Sequence, residues 1–387
     1  MDSAHDQLAP FTTLTWFPLV ARPRPPGLPL KARIAELAEL AARPPEGTCH
    51  QRMSRAAEVL NKAALIASDC GMPATARALC HRQHELFDRA RPLPAWACQL
   101  ALQPILNIPR QMIREGRGQD AYTMLEALYR AARGRTTAVM DGQPIDLSMI
   151  TCAPDDHKTV CTLIWASLLA DGTRALAQAG RWDDAASHAA AHRGTGRRLL
   201  DGRQAAILAL AQEGQADRAT LMVEQSTIAE PWERAVQSVL RVLCLHTAGT
   251  SADHEIAAML AHTRALAQEH DRSTATMRAR VSITALDLTG TSEDPEARFL
   301  RAALISTAAT DAYAARDVLV HDKISQSLTT GQRQDLGALV QASGLGRGTM
   351  PERLLSHLMA AAERACAALR TELEQRQYSQ LEEQSNP

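Results

Sequence analysis

From Leu30 onward the chain keeps one rhythm. Apolar residues return every three or four positions, and a glycine or a proline interrupts them at short intervals. That period places one apolar stripe on each helix, and helices this short cannot persist unless a neighbour covers the stripe. Architectures that stack helix on helix are therefore the ones open to this chain. The clearest unit comes early. Ala56, Val59, Leu60, Ala63, Ala64, Ile66, Ala67 and Cys70 mark a helix from about Arg52 to Cys70; Gly71 ends it, and a partner starts after Pro73 and continues to about Ala90. Two helices joined by so short a turn form a helical hairpin.

Composition points the same way. Aromatic residues make up 3% of the chain, and the apolar share is mostly Ala and Leu, which lose little entropy in a helix. The expectation is an all-α fold. With 42 Lys+Arg against 43 Asp+Glu the formal charge is −1, which argues against a chain devoted to gripping nucleic-acid phosphates. No run of about eighteen apolar residues free of charges or helix breakers is evident, so no membrane span is expected. Met1 to Pro10 carries Asp2 and Asp6 and lacks the basic-then-apolar order of a signal peptide. The eight cysteines are scattered without a C-x-x-C pair. These features predict a cytoplasmic protein that holds no cofactor and no metal.

Three segments organise the chain. Residues 1–30 form a Pro-rich arm ending in Arg22-Pro-Arg-Pro-Pro-Gly-Leu-Pro29, read as extended or disordered because no helix runs through that spacing. Residues 31–380 form an α-helical repeat domain, and 381–387 a frayed tail. One stretch, 134–155, breaks the rhythm. Its central Asp141-Gly142, flanked by short apolar runs, predicts an irregular loop or small β-hairpin. Further on, helices are expected near 231–248, 252–270, 273–289, 295–320 and 331–342, with a long last one from about Pro351 to Arg376.

Glycine-centred turns followed by an acidic or polar residue and then alanine recur at Gly118-Gln-Asp-Ala121, Gly180-Arg-Trp-Asp-Asp-Ala185 and Gly214-Gln-Ala-Asp-Arg-Ala219, the last two 34 residues apart. In this the chain resembles the tetratricopeptide repeat family, most clearly over residues 160–230. The resemblance implies a right-handed superhelix, an α-solenoid of helical hairpins. It also implies a regulatory or scaffolding module that binds a protein or peptide partner in its concave groove.

The groove's polar residues are sought on otherwise apolar helices. Asn61 and Ser68, and likewise Lys62 and Asp69, are seven apart and share a face. Gln103, Asn107 and Arg110 fall at i, i+4 and i+7 beside Pro104 and Pro109, prolines that predict a kinked or broken helix. Asn61, Asp69, Gln103, Asn107 and Arg110 are the expected groove set. Arg197, Arg198 and Arg203, from the densest basic run, are the expected anion contacts. Two alternatives stay open. One is an enzyme whose small-molecule pocket lies between helix 96–115 and loop 134–155, involving His157, which sits four residues before Cys161. The other is a DNA-binding regulator using a helix-turn-helix-like segment at 335–357. Thr349-x-x-Glu352 reads as a capping box there, with Pro351 just inside the helix. His81, His84, Glu85 and Asp88 share one face, as do Asp184, His188 and His192, and both stripes have metal-compatible spacing. Wet-surface charge pairing explains them equally well.

Overall fold

The structure is a computed structural model. It describes residues 16–17, 19–20, 23–44, 46–290 and 294–385, so most of the predicted arm and the last two residues of the predicted tail lie outside the described residues. The chain is all-helical, 74% helix, with 17 α-helices and two short strands among the described residues. It divides into two compact units.

The first, the split unit, comprises Leu30–Ala175 and the chain from Gly344 on. It contains α1 (Leu30–Ala42), α2 (Cys49–Asp69), α3 (Pro73–Asp88), α4 (Ala95–Arg114), α5 (Gly118–Gly134), β1 (Thr137–Met140), β2 (Gln143–Asp146), α6 (Pro154–Gln178) as far as Ala175, and α17 (Glu352–Ser385). α2 packs on α3, α3 on α4 and α4 on α5, α2 also meets α4, and α17 lies along α1, α2 and α3. Leu60, Ile66, Phe87, Leu102, Ile105, Leu125, Leu128, Leu358 and Leu369 belong to one buried core. α2 begins with a capping box between Thr48 and Gln51, which satisfies backbone N–H groups that a helix start leaves without partners.

The strands pair antiparallel around Asp141-Gly142, with Thr137 opposite Asp146. Ala138, Met140, Ile145 and Leu147 face the core, and the alternate side chains stay outside. The hairpin packs on α5 through β1.

α4 corrects the expectation of a broken helix. It runs unbroken from Ala95 to Arg114 through Pro104 and Pro109, both buried. A proline at 104 has no N–H for the carbonyl four residues earlier, that of Leu100. α3 supplies the missing donor: Gln83 Nε2 donates to the Leu100 carbonyl at 3.2 Å, and His84 Nδ1 meets the Ala101 carbonyl at 3.0 Å. Gln83 and His84 are buried. The neighbouring helix thus serves the carbonyl that Pro104 leaves without a donor.

The central unit comprises Leu176–Ser343 with the described residues before Leu30. Here α7 (Trp182–Ala191), α8 (Asp201–Gln212), α9 (Ala216–Glu224), α10 (Pro231–Thr247), α11 (Asp253–Ala267), α12 (Ala275–Leu288), α13 (Pro295–Ala308) and α14 (Ala312–Val320) follow one another, then α15 (Asp322–Gln326) and α16 (Thr330–Ser343). From α7 to α14 each helix packs on the next. Alternate helices α8, α10, α12 and α14 also touch in succession. Gly180 and Gly214 sit at φ +74 in their turns, a conformation that L side chains resist. The acids that follow, Asp183, Asp184 and Asp217, occupy first helical turns, where the helix dipole favours negative charge. Gly118 differs from its counterparts: it is the first residue of α5, and the turn belongs to Gly116 at φ +81.

Two further expectations change. The single helix at 295–320 is two helices, because Asp311 caps α14 through the N–H groups of Tyr313 and Ala314. α17 starts at Glu352, and its Leu355 N–H reaches the Pro351 carbonyl, so Pro351 rather than Thr349 stands at its cap. By length and composition α6 is the one helix among the described residues suited to cross a membrane, yet half of its most apolar window is buried inside the protein.

Candidate functional site

The split unit joins four of the five predicted groove residues into one row. Asn61 on α2 donates through Nδ2 to Gln103 Oε1 at 3.2 Å, and its Oδ1 accepts from Asn107 Nδ2 at 3.0 Å. Arg110 Nη1 donates to Asn107 Oδ1 at 3.1 Å, and Arg110 Nε donates to Asp171 Oδ2 at 2.9 Å. One helical turn further along α4, Arg114 Nη2 donates to Ser68 Oγ at 3.1 Å. The row thus crosses from α2 over α4 to α6. Gln103 is exposed and Asn61, Asn107 and Arg110 are half-buried. Asp171 is buried at its end and was missed at sequence level. Its one signal was a lone acid in the apolar run Leu168-Leu-Ala-Asp171.

A carboxamide offers two donor hydrogens and two acceptor lone pairs. Asn61 and Asn107 each use one of either kind within the row, so each keeps a donor and an acceptor for a ligand. Asp171 balances the Arg110 charge. The row is consequently a neutral, bifunctional hydrogen-bonding surface, matched to groups that also donate and accept, such as backbone amides.

Asp69 does not join it. Its Oδ2 lies 2.7 Å from Arg33 Nη2, with side chains only 4% and 5% exposed, locking α1 onto α2. Its carbonyl accepts from Gly346 N–H, and that of Cys70 from Gly348 N–H, both at 2.8 Å. The glycine-rich segment between α16 and α17 therefore spends two N–H groups on the end of α2. Gly346 and Gly348 reach it at φ +68 and +74.

The predicted anion contacts lie in the central unit and are largely committed. Arg203 donates to Ser226 Oγ at 2.7 Å, to the Gly196 carbonyl at 2.8 Å and to the Met222 carbonyl at 2.7 Å. Burial lowers its pKa, with nearby Arg197 adding to the effect. Arg198 Nε pairs with buried Glu233 at 3.0 Å. Burial pushes that carboxyl up, but the Arg198 bond and the N–H groups of Ala229 and Glu230 together hold it below the ordinary value. Arg197 alone of the three has an exposed side chain without a carboxylate partner among the described residues.

The same unit holds non-helical residues that precede its first helix, among them Val20, Arg24 and Gly27. Val20 N–H donates to Asp201 Oδ1 at 2.8 Å, and Gly27 N–H donates to Asp311 Oδ2 at 2.7 Å. The Gly27 carbonyl accepts from Ala312 N–H at 3.0 Å. The Arg24 guanidinium lies 3.4 Å from the centre of the Tyr313 ring. A Cβ on Gly27 would come within 2.8 Å of the Ala312 nitrogen, so only glycine fits that approach. Asp201, Asp311 and Tyr313 belong to α8 and the start of α14, members of the alternating layer.

The remaining constellations do not converge on chemistry. His157 Nε2 lies 3.4 Å from Cys161 Sγ. Burial raises the thiol and lowers the imidazole, the latter helped by Arg135, so both groups favour their neutral forms and the thiolate that attack requires is disfavoured. Among the described residues no three His, Cys, Asp or Glu side chains converge as a metal site. His84 is buried, and desolvation lowers its pKa. The β-hairpin engages the protein itself: Asp141 faces Arg77 at 3.5 Å, and Asp146 faces Arg91 at 3.2 Å. Set beside known proteins, the chain matches no family model, no curated protein and no solved structure.

Proposed function

We propose that this chain is an interaction module of stacked, tetratricopeptide-like hairpins, a right-handed α-solenoid, that binds an extended segment of a protein partner. The observation that carries the reading is the row Gln103, Asn61, Asn107 and Arg110, closed by Asp171 and partly open to solvent. Carboxamides with one spare donor and one spare acceptor suit the alternating N–H and C=O of an extended backbone. Recognition of this kind tolerates many side chains. The central unit supports the reading from within: its helices already hold non-helical residues of the chain by backbone N–H groups, at Val20 and Gly27.

A cytoplasmic setting belongs to the same proposal. The eight cysteines are free thiols, five of them buried, as suits a reducing compartment. Regulation or scaffolding is the role such a module would serve.

Selection from a displayed random-peptide library tests the reading. Peptides enriched on the full chain should bind Asn61→Ala/Asn107→Ala about 5- to 150-fold more weakly, two hydrogen bonds at about 0.5–1.5 kcal/mol each, with the circular dichroism spectrum unchanged. Equal binding to both proteins, or no enrichment, would overturn it.

A further inference from the structure

A second group of charges has no part in that row. α1, α2 and α17 border an open pocket of about 470 Å³, inside the range of about 300–1,000 Å³ in which proteins hold small molecules. Its floor is apolar. Ala56, Val59 and Ala365 are buried, and Leu40 packs against the same core. Four arginines stand in its wall, Arg43, Arg52, Arg55 and Arg364, against one acid, Glu372.

The arginines are not equivalent. Arg52 is fully committed: Nε and Nη2 donate to the two Glu372 oxygens at 2.5 and 2.7 Å, and Nη1 donates to the Gly47 carbonyl at 2.6 Å. That fork cancels the one acid and fixes one wall. Arg55 spends only Nη1, on the Pro44 carbonyl at 2.7 Å. Arg43 and Arg364 are exposed and have no carboxylate partner among the described residues. Three positive charges therefore remain around an apolar floor, four arginines less the one that Glu372 neutralises. Like charges gathered at one pocket repel, and of the three only Arg55 bonds to the fold among the described residues. An oxyanion would relieve that repulsion, because guanidinium forks bind carboxylates and phosphates bidentately.

We propose that this pocket binds an amphipathic organic anion. The carboxylate or phosphate head is received by Arg43, Arg55 and Arg364, and a medium-length apolar body lies on Ala56, Val59 and Ala365. Neither half suffices. A bare anion leaves the floor wet, and a neutral chain leaves the arginines unpaired.

Titration calorimetry on the full chain tests this with four probes: decanoate, decyl phosphate, decanol and inorganic phosphate. Decanoate or decyl phosphate should bind at least about tenfold more tightly than either decanol or inorganic phosphate, a gap of about 1.4 kcal/mol. Arg43→Glu/Arg364→Glu changes two exposed side chains and should weaken that binding about tenfold or more. Ala368→Trp, which fills the pocket from an exposed lining position, should abolish it. Both variants should melt with the wild type. The proposal is overturned if neither amphipathic anion binds, if inorganic phosphate or decanol binds as well as they do, or if both variants bind as the wild type does.

Discussion

Gln83 tests how α4 survives its prolines. The bond from Gln83 Nε2 to the Leu100 carbonyl takes the place of the donor that Pro104 lacks. Gln83→Met keeps an unbranched side chain of similar length and removes that donor, leaving a partly buried carbonyl unpaired, at a cost of about 1–2 kcal/mol. For a unit of this size that lowers the melting temperature by about 2–8 °C. Pro104→Ala returns an N–H to position 104, four residues beyond Leu100. In that background the carbonyl has its helical donor again, and Gln83→Met should cost at least about 1 kcal/mol less. Urea unfolding of the four proteins, followed by circular dichroism, measures the coupling. If Gln83→Met costs the same in the wild-type and Pro104→Ala backgrounds, the repair argument is wrong.

Three other outcomes follow from the same packing. Arg33→Met leaves Asp69 buried without its ion-pair partner and should cost about 3–5 kcal/mol, whereas Arg33→Met/Asp69→Leu should recover most of it in the same urea assay. Because desolvation lowers the pKa of buried His84, the unfolded chain binds a proton there that the folded chain resists. Stability should accordingly fall as the pH drops below about 6.5, the unfolded value, toward the lower folded value; the loss between about pH 8 and about pH 5 should be smaller in His84→Asn. Gly27→Ala places a methyl against the Ala312 nitrogen and should release the segment that ends at Pro29, seen as faster hydrogen exchange of the Val20 and Arg24 amides, which donate to Asp201 and Ser273, without a change in the circular dichroism spectrum.

Period and turn chemistry were readable in the sequence. Helices that open after Gly180 and Gly214 appear where the spacing puts them, and so do the strands around Asp141-Gly142. Long-range compensation was not readable. Pro104 argues for a broken helix until Gln83, twenty-one positions earlier, is known to face Leu100. The break at Asp311 was hidden because alanines flank it on both sides and an aspartate looks like any surface acid until its oxygens are seen on N–H groups. The candidate site divided the same way. Spacing put Gln103, Asn107 and Arg110 on one face, but pairing with Asn61 and with Asp171 depends on how α2, α4 and α6 meet. Asp69 and Arg203 carried the right chemistry for a groove; the structure uses them to join helices instead.

The central claim is that the row from Gln103 to Arg110 reads a peptide backbone through its amides. N-methylation, one residue at a time, of a library-selected peptide tests it most directly, because each methyl removes a single backbone donor and leaves the side chains in place. Calorimetry against the full chain should show losses of about 0.5–1.5 kcal/mol at the residues facing Asn61 and Asn107, and no loss at those same residues with Asn61→Ala/Asn107→Ala. Binding that ignores N-methylation and instead collapses on side-chain truncation would contradict the account.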